Sequence, residues 1–129
     1  MGDQWRVEVY EDDHGRSDVA DYLNGLGWRE RVQVEKKITY LSGALNAVGW
    51  DEAVRMGLLK HFGEGIWEIK LKGTRFRLLA FRIRDAQGPV LVVLATYERD
   101  IWKSRQKDSI MRRAQLRRQD WLDRHGESI

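Results

Sequence analysis

Two hydrophobic periods divide this chain. From residue 66 to residue 97 apolar side chains recur every second position, and on either side they recur at helical spacing. Arg6-Val7-Glu8-Val9-Tyr10 alternates as a short strand does, and the acidic stretch Glu11 to Gly15 reads as a turn. Ser17 or Asp18 can cap a helix carrying Val19, Ala20 and Leu23, which Asn24-Gly25 ends. A second helix starts near Trp28, with Val34, Ile38, Leu41 and Leu45 as its apolar stripe; Gly49 breaks it, and Asp51 can cap a short turn through Met56.

The period-two stretch opens with Ile66. Trp67, Ile69 and Leu71 point one way, while Glu68, Lys70 and Lys72 point the other. Gly73-Thr74 suits a two-residue type II′ turn, which pairs Lys72 with Arg75, Lys70 with Arg77 and Ile69 with Leu78. A long strand, Arg75 to Arg84, turns through Asp85 to Gly88 into the nearly all-apolar Pro89 to Tyr97, which belongs inside a sheet. A last helix, Ser104 to Arg124, carries Ile110, Ala114, Arg117 and Trp121 on one stripe. The order β-α-α-β-β-β-α predicts an α+β fold: a small antiparallel sheet, two N-terminal helices packed on it, and a C-terminal helix. Trp28, Trp67 and Trp121 are assigned to the core.

A length of 129 residues predicts one domain, 1–129. No apolar run reaches the roughly 20 residues of a membrane span, and the first residues resemble no signal peptide, so a cytoplasmic location with no membrane partner is expected. With no cysteine and three scattered histidines, no metal or cofactor is expected either. The net charge of +3 is unevenly spread. Residues 1–54 hold six Lys/Arg against eleven Asp/Glu, whereas residues 55–84 hold eight against two.

Lys70, Lys72, Arg75 and Arg77 are half of those eight basic residues, and an even-length turn would place all four on one surface. Like charges facing across strands oppose pairing by about half a kcal/mol each. A bound polyanion would explain the arrangement; a solvated sheet face that resists aggregation is the alternative. Tyr97 and Trp102 lie where they could stack on unpaired bases.

The succession Trp-Glu-Ile-Lys (67–70), Arg-Phe-Arg-Leu-Leu-Ala-Phe (75–81), and an apolar strand ending in Thr-Tyr (96–97) before a basic helix resembles the RelE/ParE toxin superfamily, and within it the HigB-like, phage-derived toxins of type II toxin–antitoxin modules. The likeness covers roughly residues 55–122, plus the strand and paired helices before them. It implies a metal-independent messenger-RNA endoribonuclease that works within the ribosome and inhibits translation. By this likeness Lys70 stands for the family's strand arginine, Arg77 for the basic residue of its Tyr-Arg-Ile motif, and Tyr97 for the aromatic before its Lys-Lys pair. Here that pair reads Glu98-Arg99, a departure, and Lys103 is the next lysine.

The resemblance makes Lys70, Lys72, Arg77 and Tyr97 the catalytic candidates. Arg77 and Lys70 would hold phosphate, and Lys72 or Tyr97 would move the proton, with its pKa lowered by neighbouring cations. Arg75, Arg99, Trp102 and Lys103 are the RNA-binding candidates, and Glu68 is read as an ion-pair partner for a nearby arginine. The implied partners are messenger RNA, the ribosome and an adjacently encoded helix-turn-helix antitoxin. Two alternatives stay open: a ParE-like inhibitor that binds a protein such as gyrase, and a non-catalytic RNA-binding remnant. The phosphate-gripping surface requires the four hairpin cations to lie together and unpaired.

Overall fold

The computed structural model describes residues 4–98 and 104–125. Its elements are β1 (Arg6–Val9), α1 (Asp18–Asn24), α2 (Trp28–Val48), α3 (Trp50–Arg55), β2 (Leu59–Gly63), β3 (Ile66–Lys70), β4 (Phe76–Asp85), β5 (Gly88–Glu98) and α4 (Ser104–His125). They form an α+β fold whose five-stranded open sheet runs β1-β5-β4-β3-β2.

The sheet is mixed, where an antiparallel one was expected. β1 pairs parallel with β5, in register Arg6 with Val90 through Val9 with Val93. Parallel neighbours need a long crossover, and everything from α1 to β4 lies between these two strands. A second departure is β2, which pairs antiparallel with β3 at the sheet edge. Its sequence, LKHFG, has no clean alternation. The third is α3, which begins at Trp50 with Gly49 as its N-cap, so that Asp51 lies inside the first turn.

Helix boundaries follow local chemistry. The Ser17 hydroxyl accepts the Ala20 amide at 3.1 Å and starts α1. Gly49, at φ 86°, ends α2 in a backbone conformation that disfavours side chains. Val34, Leu41 and Leu45 are the buried stripe of α2. Trp28 is 70% exposed, contrary to its assignment to the core. Six residues at 100° each put it about 120° away from the Val34 stripe.

Two cores sandwich the sheet. Val19, Val34, Leu41, Trp50 and Ala53 from the first three helices pack on Ile69, Phe76, Leu78, Ala80, Leu91 and Val93. On the opposite face, Ala114 and Trp121 of α4 pack against Leu79, Phe81, Ile83, Val92 and Leu94. β5 is buried on both faces along nearly its whole length, which its unbroken apolar run anticipated. The β4–β5 ladder carries a bulge: Leu79 pairs with Ala95 but Ala80 pairs with Val93, so Leu94 has no partner on β4. The Leu94 carbonyl instead accepts Arg117 Nη1 of α4 at 2.7 Å. One turn further along, α4 is also fixed by the Tyr10 hydroxyl, which donates to Asp120 at 2.6 Å. That bond, together with Arg124, holds the Asp120 carboxyl below its usual range.

Candidate functional site

The hairpin keeps the expected register and loses the expected turn. Lys70 pairs with Arg77 and Ile69 with Leu78. The turn, however, runs from Leu71 to Thr74, closed by the Thr74 amide on the Leu71 carbonyl at 3.0 Å. Gly73 is its second central residue, with φ 83°, a position that favours glycine. Leu71 to Arg75 therefore lie outside the ladder, and strand parity no longer governs them.

Within the ladder, Lys70, Arg77 and Tyr97 stand side by side on β3, β4 and β5. They share the sheet face that carries α4, since Tyr97 belongs to that core. Glu68, two residues from Lys70 along β3, joins the row on the same face. Its carboxylate lies 3.4 Å from Arg77 Nε, with side-chain exposures of 13% and 14%. This is the ion pair that the sequence anticipated for Glu68. Arg77 Nη1 also donates to the carbonyls of Thr74 at 3.0 Å and Phe76 at 2.7 Å, stitching the turn to the strand.

Tyr97 hydrogen-bonds Glu68, and burial followed by that carboxylate pushes its phenol well above the ordinary tyrosine value, against a smaller opposing pull from Arg77. The direction is opposite to the one expected for a proton-accepting tyrosine. Tyr97 is held as a neutral phenol. It lines a cleft of about 620 Å³ between α1, β5 and α4, which also touches Asp18, Tyr22, Glu98, Ser109 and Arg113.

The four hairpin cations separate. Lys70 and Arg77 lie on the α4 side. Arg75 turns to the helical side, where its Nε is 3.2 Å from Glu30 and its Nη1 4.0 Å from Glu98. Glu98 also accepts the Tyr22 hydroxyl at 3.0 Å, and burial plus this contact raise Tyr22 to about 12. Lys72 lines a different cleft with Lys36, Lys37 and Tyr40 of α2. The expected single grip of four unpaired cations is therefore absent: two are neutralised by the protein's own carboxylates, and the turn directs Lys72 elsewhere. Arg99, Trp102 and Lys103 lie outside the described residues.

One residue of this face could not be read from the sequence. Lys60 pairs with Glu68 across β2 and β3 and is exposed, and only the unrecognised β2 register brings it there. Among the described residues no cluster of His, Asp or Glu is arranged to hold a metal ion, and no helix is long and apolar enough to cross a membrane. The chain matches no protein-family model and no curated protein.

Proposed function

We propose that this chain is the toxin of a type II toxin–antitoxin module, a RelE/HigB-like cytoplasmic endoribonuclease that cuts messenger RNA on the ribosome. The grip of four unpaired cations on which the sequence reading rested is absent, and what supports this reading in its place is the cross-strand row of Lys70, Arg77 and Tyr97 with Glu68 beside it. Cleavage by the ribose 2′-hydroxyl breaks the bond from phosphorus to the 5′-oxygen and forms a cyclic phosphate. Glu68 takes the 2′-hydroxyl proton. Tyr97, kept protonated by its surroundings, gives its own proton to the departing 5′-oxygen. The Tyr97–Glu68 hydrogen bond then returns the proton to the phenol, so the cycle closes. Lys70 stabilises charge on the phosphorane. Arg77 positions Glu68 and the turn. The adjacently encoded antitoxin would act by covering this row.

The test adds purified protein to a translating extract and maps messenger-RNA 5′ ends. Wild type is expected to create new ends, with Tyr97→Phe and Lys70→Ala each slower by about 100-fold or more. A folded wild-type protein that leaves messages intact would overturn the proposal.

The internal pairing of Arg77 and Arg75 favours a second reading, a ParE-like inhibitor that binds a protein without cutting RNA. Blocked supercoiling by gyrase, with messages intact, would establish that reading instead.

A further inference from the structure

We propose that the cleft between α2 and the β3–β4 turn is a binding site for single-stranded RNA, separate from the row of Lys70, Arg77 and Tyr97. The choice of RNA over another polyanion rests on the function proposed above; the cleft itself rests on its own geometry. It has a volume of about 460 Å³ and is lined by Gln33, Lys36, Lys37 and Tyr40 of α2 and by Lys72, Gly73 and Thr74 of the turn. The four α2 residues fall at i, i+3, i+4 and i+7, one continuous flank of the helix.

No carboxylate lines this cleft. The acidic residues of the same helix are engaged elsewhere: Glu30 with Arg75, and Glu35 with Arg31 at 3.9 Å. Lys36, Lys37 and Lys72 are all exposed. Three lysines from two separate elements thus line one concavity that no carboxylate lines, and the Lys72 ammonium rests beside Gly57 at the rim of that lining, on a flexible stem. Beside them Tyr40, a residue type with a large apolar ring, is 57% exposed. No atom lies within 4 Å of where a Gly73 side chain would begin, so a ligand has open approach to the turn. Lysines suit phosphates and an exposed ring suits an unstacked base, the combination by which single strands are held. An acidic peptide would use the lysines and leave the ring idle.

The experiment is fluorescence anisotropy with a labelled oligouridylate of about 12 nucleotides, long enough for such a site, on the full-length chain across a salt series. Lys36→Ala/Lys37→Ala/Lys72→Ala is expected to weaken binding at least tenfold at about 50 mM salt and to lower the slope of log K against log salt by about 2, for three lost phosphate contacts. Tyr40→Ala is expected to weaken binding about tenfold with the slope unchanged. All four side chains are exposed, so these variants keep the fold. An unchanged affinity and slope in the triple variant would overturn the site. So would displacement of the RNA by polyglutamate with Tyr40→Ala binding like wild type, which would mark an acidic-peptide site. If wild type binds as expected yet cuts no message, the nuclease falls and the cleft stands. If wild type cuts and the triple variant binds unchanged, the cleft falls and the nuclease stands.

Discussion

Lys70 and Lys72 are two positions apart and carry the same nominal strand parity, yet they finish in opposite surroundings. Lys70 is half-buried in the ladder, opposite Arg77 and next to the Arg77–Glu68 pair. Lys72 is exposed over α2 with two further lysines and no carboxylate. The difference lies in the turn: parity persists only while the ladder persists, and the ladder ends at Lys70. A second difference concerns charge itself. On the α4 side Arg77 is matched, hydrogen-bonded and largely dry, so it serves the architecture and positions Glu68 beside Lys70; on the α2 side the lysines are wet and line a cleft without a carboxylate, so they are available to a ligand.

That contrast can be broken most forcefully at Arg77. Replacing it with alanine strands the Glu68 charge in a nearly dry site and frees two carbonyls, and a loss of about 3 kcal/mol in urea unfolding is expected. Arg77→Met combined with Glu68→Leu should recover most of it; failure to do so would mean the pair is not what stabilises the turn. Tyr97→Phe is next, with about 1 kcal/mol lost from one hydrogen bond to Glu68. It also changes the pH profile. Because the folded-state pKa of Tyr97 lies above the ordinary 10.0, the stability it contributes is whole below pH 10 and is lost as pH rises through the raised value. The denaturation midpoint of wild type should therefore fall more steeply above pH 10 than that of Tyr97→Phe. Arg75→Ala removes a half-exposed pair with Glu30 and should cost about 0.5 kcal/mol, diminished further by salt. The triple lysine-to-alanine change in the α2 cleft should leave stability within about 0.5 kcal/mol of wild type. A large effect there would show that those lysines support the fold.

The parts of the fold legible from the sequence were those with a strong period or a capping signal. The α2 stripe, the Ser17 cap, the Gly49 stop and the apolar run of β5 each state their structure locally, and the Lys70–Arg77 register followed from a short hairpin. β2 was illegible because LKHFG lacks alternation, and its edge position asks for little. The parallel placement of β1 depends on a contact across more than eighty residues, which no local pattern encodes. For the site, the Glu68 pair was foreseeable from neighbouring opposite charges. The removal of Arg75 by Glu30 was not, because Glu30 is distant in sequence and belongs to another element. Lys60 was hidden for the same reason as β2.

The Leu94 carbonyl, left without a β4 partner by the bulge, is capped by Arg117 of α4, so a side chain from another element closes a hydrogen bond that the ladder cannot close alone. Without Arg117 that carbonyl would be left buried and unsatisfied, at a cost of about 1–3 kcal/mol.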